Sequence, residues 1–269
     1  MPGAIRCIGD SLTSGGGSFE DSYPGRLQRA LGRPVINDGV PGQTSAQIAA
    51  RVGALPVAVE VDGGAIPASG PAACAGVRPD VLGPKHKGAL PGALAGVDGR
   101  LLHAKTGAYA FLRDAAGAPV PCPPGAAFVP RKVPADLHVL WMGENDPLNA
   151  GGRAGILASL AACIGELDAG KGRFVVLGLF AGAGEEAGAR RRRLKLELNA
   201  SLAQAWPGRV LDVHAPLLAA GDPASPEDGA DLAQGVVPRS LRQDHIHPNA
   251  AGNAVIARLV QAFVESRGW

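Results

Sequence analysis

The sequence predicts an α/β fold, a parallel five-stranded sheet covered on both faces by helices, with a β-rich segment inserted into it. Three observations predict this. Five short apolar runs rich in β-formers recur along the chain. Helical patterns separate them. Residues 55–136 break that rhythm. The five strands are expected at 4–9, 34–38, 137–142, 173–180 and 209–213, each bounded by Gly, Pro or polar residues. Residues 22–32 place Leu27 and Leu31 four apart, as one face of a helix requires. Residues 44–54 open on Thr44/Ser45, good N-cap residues, and carry Ile48, Ala49 and Val52. Residues 152–168 and 185–206 read as amphipathic helices. Residues 249–266 close the chain with Val255, Ile256, Leu259, Val260 and Phe263.

The 55–136 segment is rich in Pro, Gly and Ala. A structureless loop of that length is improbable in a compact domain. Val57–Val61 alternates with period two, and 99–120 reads as strand, turn, strand, turn, strand. The expected division is a discontinuous α/β domain, 1–54 and 137–269, with a β-rich subdomain at 55–136. Tyr109, Phe111 and Phe128 are expected on its surface, where aromatics would suit a carbohydrate, so the subdomain is expected to act as a lid or a glycan-binding module.

Composition narrows the function. The chain has 269 residues, 46% of them hydrophobic, and a formal net charge of +2. That charge gives no reason to invoke nucleic acid or a membrane surface, and no apolar run reaches the length of a membrane span. No signal-peptide pattern opens the chain, so a cytoplasmic location is expected; a phage-type assembly or a shortened secreted form would look the same. The basic run Arg190–Arg193 precedes Leu194, Leu196, Leu198 and Leu202 and reads as a solvated helix face. Cys7 and Cys163 lie in apolar patterns and are expected to be buried thiols. Cys74 and Cys122 share the inserted segment, where a pairing is open.

Ligand sites in open parallel sheets gather beyond the carboxyl ends of the strands. Asp10-Ser11 follows the first expected strand. "NDGVPGQTS" follows the second, with Gly39 and Gly42 before a helix start. Gly143-Glu144-Asn145-Asp146 follows the third. "RQDHIHPNAAG" precedes the last helix, with Asp244 and His247 three apart. A serine hydroxyl needs a base, an imidazole base needs a carboxylate, and a tetrahedral intermediate needs donors for its oxyanion. Ser11, His247 and Asp244 supply the first three. The backbone N–H groups of Ser11 and Gly42 and the Asn145 amide can supply the donors, with Gly39 competing for the place of Gly42. Asp10 and Asp146 are expected to organise loops through backbone hydrogen bonds. His245 is expected to line the pocket or the surface. A rival reading takes Asp244, His245 and His247 as metal ligands, but no second ligand cluster accompanies them. His86, His103, His138 and His214 read as ordinary surface or core histidines.

These blocks resemble the SGNH hydrolases, also called GDSL esterases or lipases. Ser11 in "GDSLT", Gly42 in "GVPGQTS", Asn145 in "GEND" and His247 in "DHIHPN" match the four signature residues, and Asp244 matches the family's acid. The resemblance covers residues 3–54 and about 137–266. It implies a flavodoxin-like three-layer α/β/α sandwich and ester hydrolysis with no metal and no cofactor. The expected substrate is a small-molecule or glycan ester, with short-chain or acetyl esters on a carbohydrate favoured. Lysophospholipid or acyl-thioester hydrolysis is the nearer alternative. A non-catalytic glycan-binding subunit of a larger assembly is the alternative of another class. No G-x-S-x-G occurs, so a nucleophile elbow of the α/β-hydrolase kind is absent.

Overall fold

The computed structural model describes residues 3–83, 87–168 and 172–269; His86 lies outside them. In chain order the elements are β1 (Ile5–Gly9), α1 (Ser11–Ser14), α2 (Tyr23–Leu31), β2 (Val35–Gly39), α3 (Ser45–Arg51), β3 (Val57–Val61), β4 (Ala65–Ile66), β5 (Pro71–Arg78), β6 (Gly88–Leu94), β7 (Val97–His103), β8 (Tyr109–Arg113), β9 (Val120–Pro121), β10 (Ala126–Pro130) and β11 (Leu137–Trp141). There follow α4 (Ala150–Asp168), β12 (Phe174–Leu177), α5 (Arg190–Ala205), β13 (Val210–Leu211), α6 (His214–Ala219), α7 (Pro226–Ala233) and α8 (Ala250–Ser266).

The central sheet has the order β13-β12-β11-β1-β2, and every pairing in it is parallel. The chain steps from β1 outward to β2, then returns to β11 on the other side of β1. With right-handed crossovers, that reversal puts α2 and α3 on opposite faces. Accordingly α2 packs with α8, and α3 with α4. The strands β1 and β11 are buried at every residue, which is why their sequences are continuous apolar runs rather than alternating ones. Trp141 anchors the carboxyl end of β11. It is fully buried, meets the Tyr23 ring edge-on at 5.7 Å and donates to the Gly178 carbonyl at 3.1 Å.

The expected strand at 209–213 shortens to Val210–Leu211 at the sheet edge, and the helix expected from 185 begins at Arg190. The phase of α5 also differs. Its buried stripe is Lys195, Leu198 and Leu202, while Leu196 is half exposed. The lysine reads as polar in sequence, but an ion-pair network described below lets it take a core position. Helices α6 and α7 were not visible in the sequence as regular elements.

The inserted segment forms a closed antiparallel barrel of six strands, β10-β3-β5-β8-β7-β6, with β4 and β9 pairing beside it. Closure pairs the edge strands, which removes the unpaired backbone groups an open sheet of this size would present. The expectation of surface aromatics fails here. Tyr109, Phe111 and Phe128 are all buried, and Phe111 meets Phe128 edge-on at 6.4 Å. The reason is the period-two alternation, which turns one side of each strand inward. A side chain at Gly92 would run into the Phe128 ring and one at Gly99 into the Phe111 ring, so the two glycines make the space the rings fill. The outward positions carry mostly small or polar residues. All four cysteines are free, so Cys74 and Cys122 do not pair; Cys7, Cys122 and Cys163 are buried.

The barrel has its own apolar core, distinct from that of the sheet, and Leu55 packs against both. Phe111→Ala will therefore cost about 3–5 kcal/mol, while Val129→Ser, at an exposed barrel position, will shift stability by less than about 0.5 kcal/mol. Chemical denaturation of the two variants checks this.

Candidate active site

The sheet order reverses at the β1/β11 border, so the crevice beyond their carboxyl ends is the expected ligand position for this topology. Ser11 sits there as the first residue of α1. Asp10 caps that short helix, its Oδ1 accepting the Leu12 N–H at 2.9 Å. A side chain at Gly9 would collide with Thr13 and the Trp141 carbonyl, so only glycine lets β1 turn this tightly into the helix.

The segment 241–249 closes on itself and brings His247 to Ser11. Gln243 N–H donates to the His247 carbonyl and Asn249 N–H to the Leu241 carbonyl. Asn249 then caps α8, accepting from Ala251 and Gly252. His247 Nε2 lies 2.8 Å from Ser11 Oγ, and His247 Nδ1 lies 2.7 Å from Asp244 Oδ2. The other carboxylate oxygen of Asp244 accepts the backbone N–H groups of Ile246 and His247 at 2.8 and 2.7 Å. Burial pushes the Asp244 carboxyl up, but those two N–H groups and the imidazole outweigh it and hold it at about 2. Asp244 is thus ionised at neutral pH and fixes Nδ1 as the donor, leaving Nε2 able to accept from the serine hydroxyl.

The β2–α3 connection makes the opposite wall. Val40-Pro41-Gly42-Gln43 is a turn closed by Gln43 N–H on the Val40 carbonyl, with proline second and Gly42 third at φ 79°. That is the type II pattern, in which the third residue needs a positive φ. Gly39 donates its N–H to Asn37 Oδ1 at 3.1 Å; Gly42 faces the cleft. Thr44 caps α3 in a reciprocal capping box with Gln47. Asp146 accepts from Ser45 N–H and Ser45 Oγ at 2.8 and 2.7 Å and ties the β11 loop to that helix start.

Asn145 projects into the cleft, but its amide already has two acceptors, the Gln43 carbonyl at 2.9 Å and Asp10 Oδ2 at 3.2 Å. Asp10 is almost fully buried. Burial, against the Leu12 N–H and aided by the nearby Glu144 and Asp146 carboxylates, pushes its carboxyl up to about 7.

Several residues at the site escaped the sequence reading. Gln43 is fully buried. Its side chain donates to the Val81 carbonyl of the inserted segment at 2.6 Å and accepts from Arg51 Nε at 2.8 Å. Gln47 likewise donates to the Asp80 carbonyl at 2.7 Å. Arg51, also buried, reaches Asp38 and the Gly9 carbonyl. Beyond Asn145, Glu144 and Glu185 are buried and share Lys195 Nζ at 2.9 and 2.8 Å. Arg191 bonds the same two carboxylates at 2.6 and 2.8 Å. The rest of the arginine run behaves as a helix face, with Arg190 and Arg193 exposed. The available signals were a glutamine beside Gly42 and a lysine in an apolar period.

The cleft has a volume of about 490 Å³. Its lining comes from the serine loop, the Pro41–Gly42 turn, Glu144–Asn145, Arg191 and the 243–247 loop; His245 lines it with a mostly exposed ring. No lining residue comes from the barrel. Among the described residues no group of three or more His, Cys, Asp or Glu side chains is arranged to hold a metal ion, and no helix is long and apolar enough to cross a membrane. His214 accepts the Ala181 N–H, and His103 stacks on Tyr109 inside the barrel.

No family model matches the chain. It is similar to the tail spike protein of Salmonella phage epsilon15, at 27% identity over 314 aligned positions that take in 98% of this chain and 28% of the relative. The chain thus spans little more than a quarter of the length of that relative. Among solved structures it is similar to a G-D-S-L family protein from Desulfitobacterium hafniense (TM-score 0.53, 15% identity, covering 97% of this chain and 98% of that one). It is also similar to the acetyl xylan esterase AlAXEase (TM-score 0.53, 14% identity, 97% and 99%) and to a GDSL-like lipase from Bacteroides thetaiotaomicron (TM-score 0.50, 13% identity, 98% and 88%). The fold is that of the SGNH hydrolases.

The raised Asp10 carboxyl has a consequence for stability. Between about pH 4 and pH 7 the unfolded chain ionises Asp10 while the folded chain keeps its proton. Folding stability from this group therefore falls as pH rises across that window. In Asp10→Asn that dependence disappears, so denaturant titrations will show the variant gaining on the wild type by about 2–4 kcal/mol from pH 4 to pH 8, whatever its absolute stability.

Proposed function

We propose that this chain, which has the SGNH hydrolase fold, is a serine esterase working through an acyl-enzyme. The observation that carries the reading is the hydrogen-bonded series Ser11–His247–Asp244 at the mouth of the cleft. Ser11 Oγ attacks the ester carbonyl as His247 Nε2 takes its proton. The carbonyl π electrons move to oxygen. The intermediate collapses, the C–O bond to the alcohol breaks, and His247 returns the proton to the leaving oxygen. Water, deprotonated by His247, then attacks the acyl carbon, the bond to Ser11 Oγ breaks, and His247 returns the proton to Oγ as the acid leaves.

The oxyanion is received by the N–H groups of Ser11 and Gly42 and by the Asn145 amide. Ser11 N–H, at the first position of α1, is one of the donors a helix start leaves without an intrahelical acceptor. For Asn145 the structure suggests a specific exchange. The oxyanion takes the hydrogen now shared with Asp10 at the longer distance, while the bond to the Gln43 carbonyl keeps the amide aimed. A protonated Asp10 gives up that hydrogen at lower cost than a carboxylate would.

An acetyl or other short acyl group on a carbohydrate is the substrate class we favour. Pro41 and Ile246 are the larger apolar side chains in the lining, too few to hold a long acyl chain. The likeness to an acetyl xylan esterase and to a phage tail spike supports a glycan ester and a place in a phage-type assembly. The inserted segment, whose barrel contributes nothing to the cleft wall, acts as a brace: Val81 and Asp80, in the connection after β5, hold Gln43 and Gln47 and so hold the Gly42 turn.

A p-nitrophenyl ester series from acetate to palmitate tests the reading. Turnover will fall steeply beyond butyrate. Ser11→Ala and His247→Ala will lose several orders of magnitude each, because such residues act as a unit. Asn145→Ala will lose about 10²–10³ in kcat. No turnover of any ester by the wild type would leave a binding module in a hydrolase fold.

A further inference from the structure

We propose that Arg191 makes the site selective for esters whose alcohol part carries a carboxylate, as in an acylated uronic acid; this rests on the esterase reading above. Arg191 is the cleft's one ionised side chain that is both solvent-exposed and partly unengaged among the described residues. The other charged lining residue, Glu144, is buried and paired.

The guanidinium is held at three points. Its Nε forms an ion pair with Glu185 Oε1 at 2.8 Å, and its Nη2 donates to the Glu144 carbonyl and Glu144 Oε1 at 2.7 and 2.6 Å. The Nη1 amino group, with two N–H donors, takes no acceptor among the described residues, and the side chain is 45% exposed on the cleft. The carboxylates that grip it cannot swing away, because Lys195 Nζ holds both from below and also donates to the Phe180 carbonyl at 3.0 Å. The result is a charged donor pair fixed in the lining of the cleft, anchored on Glu144, the residue before Asn145. A planar guanidinium held in place loses little freedom on binding and matches a carboxylate better than an ammonium does. The four charges of Arg191, Lys195, Glu144 and Glu185 sum to zero. The attraction for a carboxylate therefore comes from the two Nη1 N–H donors and not from a surplus of positive charge.

Affinity separates this inference from the esterase reading. Ser11→Ala protein is titrated by calorimetry with an O-acetylated glucuronic acid and with its methyl ester, which differ by a single charge. The free acid will bind about 10–100-fold more tightly, the range for a charge-assisted hydrogen bond. Added salt will narrow the gap. Arg191→Gln in the same background will bring the ratio to about one, with thermal unfolding confirming that the variant is folded. Equal affinity for acid and methyl ester in Ser11→Ala, or binding of neither, overturns the inference without reference to any variant at 191. Wild-type turnover of p-nitrophenyl acetate is read separately and decides the esterase reading alone.

Discussion

The Arg51 guanidinium holds together the segments on which the site is built. It is buried where β1, β2 and the Gly42 turn converge. It pairs with Asp38, donates to the Gly9 carbonyl at the last residue of β1, and donates to Gln43. Arg6 supports Asp38 from β1 at 2.8 Å. Burial alone would push the Asp38 carboxyl up, but the two guanidinium groups hold it below its ordinary value. Such a cluster stabilises only as a complete set. Removing one partner leaves a buried charge, a loss of about 3–5 kcal/mol. Its value here is geometric: the ends of two strands and the turn between them cannot move independently.

From Gln43 the same constraint runs two ways. Its side chain reaches Val81 in the connection after β5 of the inserted segment, and its carbonyl holds the Asn145 amide. The inserted segment, remote from the cleft wall, is therefore mechanically joined to the residue proposed to receive the oxyanion. Glu144 and Arg191, which also line the cleft, are held by Lys195 and Glu185 behind them. Ser11 and His247 line the same cleft, and the loop carrying His247 is closed by its own backbone hydrogen bonds. A site fixed on three sides before substrate arrives needs little reorganisation during reaction.

The parallel sheet was legible in the sequence because buried strands are short, continuous apolar runs. The helices α2 and α8 were legible from their apolar spacing, and α3 because its cap and its apolar face agree. The serine, histidine and aspartate were legible because each follows a strand or precedes a helix in a recognisable block. Other features were not. A barrel and an open sheet share the same alternation, so closure, and with it the burial of Phe111 and Phe128, depends on the β10–β6 pairing that no local pattern announces. Lys195 looked solvated because its two carboxylate partners lie 10 and 51 positions away in sequence. Gln43 drew no attention in sequence because its partners, Val81 and Arg51, come from other elements.

The most direct test of the account is covalent. The folded protein is incubated with a fluorophosphonate probe, digested, and mapped by mass spectrometry. One adduct is expected, on Ser11, formed in the wild type and abolished in His247→Ala, since the hydroxyl is reactive only through its base. Absence of an adduct, or an adduct on another residue with Ser11 intact, would contradict it.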